Sequence, residues 1–186
     1  MEKQWIVFDI ETLGLDSVHE QVTTICAVDD NMDKFEMIAH TEKEEISLLS
    51  SFIRWMLERQ NKTLVTKNGK KFDVPYIIMR TVMSGFHDAL HKQMTIFKDR
   101  KHIDLQELTK KWISLDDMAT LMRLGYGKTM NGLQAISIWR SANKLWEQGE
   151  KERAERLFSS IVDYCAMDCK LTMEIALKHK LIEVRA

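Results

Sequence analysis

Residues 5–12 carry the sequence WIVFDIET, in which an apolar run rich in β-forming residues ends in two acidic side chains. The run from Trp5 to Ile10 predicts a buried strand. Asp9 and Glu11 are two residues apart, so their side chains share one face, with α-carbons about 6.6 Å apart. Two adjacent carboxylates are costly there unless a cation holds them. Taken alone, the pair is also explained by acids that are solvated where the strand ends.

The rest of the chain predicts an α/β domain with a mixed sheet. Further strands are expected at Val22 to Val28, about Lys34 to His40, Thr63 to Thr66 and near His102 to Leu105. Helices are expected at Glu44 to Arg59, Val74 to Met83, Leu105 to Trp112, Leu115 to Leu124, Leu133 to Leu145 and Glu150 to Lys178. This order predicts a central five-stranded sheet, in which a hairpin-built antiparallel part joins a crossover-built parallel part, followed by a helical C-terminal half.

Length and composition are those of an ordinary globular protein. The 186 residues predict one domain that spans residues 1–186. With 27 basic and 28 acidic residues, the net charge of −1 excludes a histone-like protein that binds nucleic acid by bulk charge. Three cysteines do not indicate a disulfide framework, and neither a signal peptide nor a membrane-spanning apolar run is evident. These features predict a reducing, cytoplasmic location without membrane contact.

A second segment of interest covers residues 68–76, NGKKFDVPY, and follows a predicted strand. Asp73 leads into a helix, with Pro75, the only proline of the chain, in its first turn. A helix N-cap explains both residues. It does not explain an exposed Phe72 and a lysine pair beside an Asn-Gly turn, so a functional role for this segment stays open beside the structural one.

A third segment lies in the last predicted helix, where Tyr164 and Asp168 are four residues apart and share one face. A surface tyrosine near a surface aspartate explains the pair equally well. The core is expected to lie on the opposite side of the helix, which carries Leu157, Ile161, Cys165, Cys169 and Thr172.

In combination and order, the three segments resemble the motifs of the DnaQ-like 3′-5′ exonucleases, which have a ribonuclease H-like fold. The likeness is closest to the proofreading exonuclease domain of family B DNA polymerases and its stand-alone relatives. It rests on residues 8–12 (FDIET), on residues 68–75 (NGKKFDVP) and on Tyr164 with Asp168. Asp163 stands where a sister subtype has histidine, so the tyrosine (DEDDy) subtype is indicated. Leu13 departs from the threonine or serine of many relatives.

The resemblance implies a metal-dependent 3′-5′ exonuclease that degrades single-stranded DNA, or frayed 3′ ends, to nucleoside 5′-monophosphates. Asp9, Glu11, Asp73 and Asp168 would hold two Mg²⁺ or Mn²⁺ ions, with Asp9 bridging them and Asp73 on the second. Hard oxygen ligands suit these ions, and no cysteine or histidine is expected in the set. Tyr164 would orient the attacking water, since a free tyrosine titrates near 10.

The resemblance also implies contacts with the substrate. Thr12 and Leu13 would meet the terminal nucleotide, and Asn68 and Phe72 the sugar or the penultimate base. Two basic runs would either track a single strand or form a solvated face: Lys67, Lys70 and Lys71, and Lys98, Arg100 and Lys101. Exposed members of the set Trp112, Trp139 and Trp146 are candidates for stacking on bases, and nothing in the sequence distinguishes one.

Two other functions remain in view: an RNA 3′-5′ exonuclease on the same scaffold, and a catalytically silent nucleic-acid-binding module. The second is disfavoured because all four carboxylates and the tyrosine are present. A replication or repair protein is the expected partner, which places the chain in DNA replication or DNA repair. Two apparent motifs are rejected, a P-loop-like Gly127-Lys128-Thr129 and a zinc-protease-like pair of His87 and His91, because each lacks required residues.

Overall fold

The computed structural model describes residues 1–85, 96–125 and 130–184 and has a five-stranded mixed sheet at its centre. The strands, in the spatial order β3-β2-β1-β4-β5, are β1 (Trp5–Thr12), β2 (Val22–Asp29), β3 (Lys34–Ile38), β4 (Thr63–Thr66) and β5 (His102–Asp104). β2 pairs antiparallel with both β1 and β3, whereas β4 runs parallel to β1 and β5. The predicted mixed sheet is therefore confirmed.

Helices cover both faces of the sheet. They are α1 (Glu45–Leu57), α2 (Asp73–Met83), α3 (Leu115–Leu121), α4 (Gly132–Glu147) and α5 (Lys151–Lys178), with short 3-10 helices at Glu42–Glu44 and Leu105–Leu108. The predicted helical C-terminal half is present. None of the helices in the described part of the chain is both long enough and apolar enough to cross a lipid bilayer.

Alternation along β1 divides the core into two layers. Ile6, Phe8 and Ile10 pack with apolar residues of α1 and α2 on one face. Trp5 and Val7 pack on the other face with residues of α3 and α5. The side chains that continue this second face toward the end of β1 are Asp9 and Glu11, so the acidic pair faces the α5 side of the sheet.

One predicted helix is wrong. The expected helix from Leu105 to Trp112 is only a short 3-10 turn that ends at Leu108. The side chain of Asp104 accepts a hydrogen bond from the amide of Gln106, and Thr109 is already extended, with φ −122° and ψ 140°. The Asp104 bond caps the start of the turn, whereas at its end the hydroxyl group of Thr109 lies 3.2 Å from the carbonyl oxygen of Gln106 and 2.8 Å from that of Lys111, local contacts that compete with helix continuation. The following segment, residues 109–114, is irregular.

The core prediction for the cysteines is confirmed, because Cys26, Cys165 and Cys169 are all free and buried. The two rejected motifs, Gly127-Lys128-Thr129 and the pair His87 and His91, lie outside the described residues.

Candidate active site

β1 extends beyond the end of its parallel neighbour. Its pairing with β4 ends at Val7 opposite Val65, whereas its pairing with β2 continues to Thr12 opposite Val22. A register shift between Glu11 and Thr12 marks a bulge, a device that re-aims side chains at the end of a strand. The segment that holds the acidic pair is thus free of β4 on one side and open to other elements.

The acidic pair is partly shielded from solvent. Glu11 is 9% exposed and Asp9 is half-buried. The Sγ atom of Cys165 lies 3.4 Å from the carbonyl oxygen of Asp9 and 3.8 Å from its Oδ2. One ligand atom each from Asp9, Glu11 and Cys165 lie within 4.8 Å of one another. Solvation at the strand end therefore does not explain Glu11, which is buried.

Cys165 joins this group as a neutral thiol. Burial raises the pKa of the Cys165 thiol well above its ordinary value, and the neighbouring Cys26 and the charge of Asp9 raise it further. A protonated thiol donates a hydrogen bond and is a poor metal ligand. The sequence prediction contained no cysteine at this place, and the oxygen atoms of the carboxylates remain the available hard ligands.

Asp73 connects α2 to β1. It is the first residue of α2, after the N-cap Phe72, and α2 has no side-chain capping bond. The carboxylate, 3% exposed, accepts hydrogen bonds from the amides of Asp73 itself and Ile10. Burial raises the pKa of Asp73 to about 7 against these hydrogen bonds, and the negative charges of Asp104 and Asp168 add to the increase. The N-cap explanation for this residue is therefore wrong.

Tyr164 and Asp168 are both buried in α5, with 5% and 6% exposure, so they are not a surface pair. Burial and Cys26 raise the pKa of the nearby Cys169 thiol, and the negative charges of Asp9, Asp168 and Asp73 raise it further. Acids from three distant segments therefore act on one buried thiol. Within the described residues, no equally tight group of three ligands includes Asp73 or Asp168, so Asp9 and Glu11 form the compact centre.

Asp104, at the end of β5, is a buried acid that sequence reasoning missed. Its Oδ1 accepts hydrogen bonds from the amides of Asn68 at 2.6 Å and Gln106 at 2.9 Å, and its Oδ2 accepts one from Lys70 at 3.0 Å. Asn68 has a φ of 66°, a left-handed conformation that needs support. Asp104 thus holds the loop that leads to Asp73. The available signal was its place at the carboxyl end of a predicted parallel strand.

A cavity of about 510 Å³ lies beside the acidic pair. Glu11, Thr12 and Phe72 line it, together with Leu15 and Leu133, which are 86% and 80% exposed. Two of the predicted substrate contacts, Thr12 and Phe72, thus lie at the cavity. The two leucines carry no pattern in the sequence that would have identified them.

The other two predicted substrate contacts do not line this cavity. Leu13 packs with the cluster between α4 and α5 that contains Trp139 and Tyr164, and it borders a separate cavity. Asn68 acts through its backbone, which is held by Asp104. Any contact of Leu13 or Asn68 with substrate remains a prediction.

The two basic runs lie at opposite ends of the parallel strands β4 and β5. Lys67 and Lys70 belong to the loop after β4, where Lys70 pairs with Glu107 at 2.6 Å. Lys101 precedes β5 and contacts Glu2, which precedes β1, at 2.5 Å. Arg100 is half-buried and donates to the carbonyl oxygen of Met56 at 2.8 Å. The second run therefore lies at the amino ends of the parallel strands, away from the acidic pair, which favours the solvated-face alternative for it.

Comparison with known proteins supports the fold. A sequence profile of the RNase H superfamily matches residues 6–179, nearly the whole chain. The structure is similar to that of the family B DNA polymerase from the hyperthermophilic archaeon Pyrobaculum calidifontis, with a TM-score of 0.75 and 16% sequence identity. The match covers 96% of this chain and 24% of the polymerase, so the chain spans about a quarter of that protein's length. The ribonuclease H-like fold expected from the sequence is confirmed.

Proposed function

Because the chain belongs to the RNase H superfamily, we propose that it is a metal-dependent 3′-5′ exonuclease that hydrolyses single-stranded DNA, or frayed 3′ ends, to nucleoside 5′-monophosphates. The observation that carries the proposal is the contact between two of the three acidic segments: the Asp73 carboxylate accepts a hydrogen bond from the amide of Ile10, which lies between Asp9 and Glu11. Asp168, from the third segment, is buried, and its charge helps to raise the pKa of Asp73. A role in DNA replication or DNA repair, beside a protein partner of that process, belongs to the same proposal.

The donor set suits Mg²⁺ or Mn²⁺. Carboxylate oxygens are the hard ligands that these ions prefer, and the one sulfur atom in the group, that of Cys165, is held as a neutral thiol. Buried like charges are costly unless a cation neutralises them, as the raised pKa of Asp73 illustrates. Asp9 and Glu11 would hold the ions together with Asp73 and Asp168.

A pair of bound divalent cations would supply a water of lowered pKa and neutralise the charge on the leaving 3′ oxygen. Tyr164 would orient that water through a hydrogen bond of its hydroxyl group. The 510 Å³ cavity has the size of a pocket for one nucleotide. There Thr12 and Phe72 would position the terminal nucleotide, and Leu15 and Leu133 would pack on its base.

The test uses a 5′-labelled single strand with either a free 3′-hydroxyl or a 3′-phosphate, as DNA and as RNA, in Mg²⁺ and in EDTA. We expect stepwise shortening of the free DNA strand in Mg²⁺ only. The 3′-phosphate should protect the strand, and an Asp9→Asn variant with an unchanged circular dichroism spectrum should be inactive.

Other results would replace the proposal. Internal cuts in the blocked strand would indicate an endonuclease, and faster degradation of RNA would indicate an RNA exonuclease. Binding of the strand without hydrolysis in any divalent cation would indicate a silent nucleic-acid-binding module. Activity of Asp9→Asn equal to that of the wild type would disprove the assignment of the metal site.

A further inference from the structure

Trp112 is exposed in a way that the other tryptophans are not. All five tryptophans lie in the described residues, and only Trp112 is exposed, at 68%. Trp5 and Trp139 are buried, and Trp55 and Trp146 are half-buried. An exposed indole ring leaves a large apolar surface in contact with water, which is unfavourable, and exposed aromatic surface is typical of binding sites.

Contacts with neighbouring residues fix the position of this exposed ring. The ammonium group of Lys67 lies 4.3 Å from the centroid of the Trp112 ring, a cation–π contact. Lys67 also donates to Oε1 of Gln106 at 2.5 Å, and Nε2 of Gln106 donates to the carbonyl oxygen of Lys111 at 3.0 Å. The ring is therefore held in place, so the binding of a ligand that stacks on it would cost little side-chain entropy of the protein.

The same contacts connect Trp112 to the acidic centre. The backbone amide of Gln106 donates a hydrogen bond to Asp104 at 2.9 Å, and Asp104 also accepts one from the backbone amide of Asn68 in the loop that leads to Asp73. Lys67 directly follows β4. Trp112 therefore lies near the carboxyl ends of the parallel strands, where the candidate active site is also found.

Three lysines lie close to the ring, and one acid, Asp117, lines the cavity beside it. Lys110 and Lys111 are exposed and precede Trp112 directly, and Lys67 lies over the ring. This is a local excess of positive charge in a chain with a net charge of −1. A cavity of about 390 Å³ opens beside the ring, between Trp112 and Leu121.

A flat aromatic ring with adjacent cations matches the chemistry of single-stranded nucleic acid, which offers a flat base next to a phosphate. We propose that Trp112 and Lys67 form a base-stacking subsite that holds a nucleotide of single-stranded DNA outside the acidic centre. The identity of the strand rests on the proposed function. In this subsite the base stacks on the indole ring, and Lys67 and Lys111 neutralise the phosphates.

The test measures the affinity of a fluorescent single DNA strand of about 12 nucleotides by anisotropy in EDTA, where no hydrolysis occurs. Trp112→Ala should weaken binding about fivefold or more, the loss of one stacked base. Trp112→Phe should restore most of the affinity, whereas Trp112→Leu, which is apolar but lacks a flat ring, should not. Met83→Ala, which removes another exposed apolar side chain at the end of α2, is the control that should bind as the wild type does.

Hydrolysis in Mg²⁺ separates this proposal from the function on which it rests. The loss of kcat/KM in Trp112→Ala should be larger for the long strand than for a dinucleotide, and should arise in KM. Equal affinity of Trp112→Ala and wild type, an equal loss on both substrates, or full rescue by Trp112→Leu would each overturn the subsite. Binding that depends on Trp112 without hydrolysis by the wild type would overturn the exonuclease function alone.

Discussion

The backbone amide of Asn68 donates a 2.6 Å hydrogen bond to Oδ1 of Asp104, which ties the loop before α2 to the end of β5. The amide of Lys70 donates to the second carboxylate oxygen at 3.0 Å. Since Asp104 is 3% exposed, water cannot replace these bonds. One side chain on the edge strand therefore sets the path of the loop that delivers Asp73 to the site.

Asp104→Asn should destabilise the protein and reduce its activity. The amide group of asparagine turns an NH₂ toward one backbone N–H, so a buried donor loses its acceptor, at a cost of about 1–3 kcal/mol. Urea unfolding and the Mg²⁺-dependent rate of strand shortening measure the two effects. Glu107→Gln is the matched control: this carboxylate is exposed and pairs with Lys70, and the change should stay within about 0.5 kcal/mol. Equal stability of both variants would show that the loop does not depend on Asp104.

Stability without metal should depend on pH through Asp73. Burial raises the pKa of Asp73 from 3.8 to about 7, so the folded protein binds this proton more tightly than the unfolded chain. The contribution of Asp73 to the free energy of unfolding is therefore largest below about pH 4 and falls until about pH 7. Asp73→Asn lacks this dependence and serves as the reference.

The measurement is urea unfolding of both proteins in EDTA at about pH 5 and about pH 8. Asp73→Asn should be more stable than the wild type, and this difference in free energy of unfolding should be larger at the higher pH by on the order of 2 kcal/mol. Mg²⁺ should reduce the gain at the higher pH, because the cation neutralises the carboxylate. The same gain at both pH values would show that Asp73 is ionised throughout and that its burial has no electrostatic cost.

The sequence predicted the strands well because their signals are local. The alternation of Phe8 and Ile10 with Asp9 and Glu11 identifies two faces without knowledge of any partner. Asp104 was missed because its role depends on hydrogen bonds to a loop more than thirty residues earlier, which no local pattern encodes. The predicted helix after β5 failed at its other end, where Thr109 is extended and its hydroxyl group contacts the carbonyl oxygens of Gln106 and Lys111.

The position of the second basic run shows a different limit. Lys101 follows Arg100 in a charged stretch that is typical of a nucleic-acid contact, but its location depends on the direction of β5. Parallel pairing with β4 sends Asp104 toward the site and leaves Lys101 beside Glu2. Strand direction follows from the arrangement of the whole sheet, so charge patterning alone could not decide between a substrate contact and a solvated face.

Tyr164→Phe should slow hydrolysis and leave the fold intact. The phenyl ring keeps the packing against the cluster of Trp139 and Phe158, whereas the hydroxyl group that would orient the water is lost. We expect kcat to fall about tenfold or more, the effect of one hydrogen bond in the transition state. Mg²⁺ affinity, measured by calorimetry, should not change. Asp163→Asn, an exposed neighbour in α5, is the control, and an equal kcat for both variants would remove Tyr164 from the mechanism.

The two basic regions should differ in the salt dependence of strand binding. The first region consists of Lys110 and Lys111, which directly precede Trp112 near the acidic site. The second consists of Lys98 and Lys101, which precede β5 at the opposite end of the parallel strands. Each phosphate contact that is lost lowers the slope of log K against log salt by about 0.7 for a single strand. The double variant of Lys110→Ala and Lys111→Ala should therefore reduce the slope by about 1.4 if both residues contact phosphates.

The double variant of Lys98→Ala and Lys101→Ala is the control. It has the same change in charge and should keep the slope of the wild type, because neither side chain lies on the path of the strand. Equal reductions in both variants would mean that the strand is attracted by overall charge and follows no defined path past Trp112.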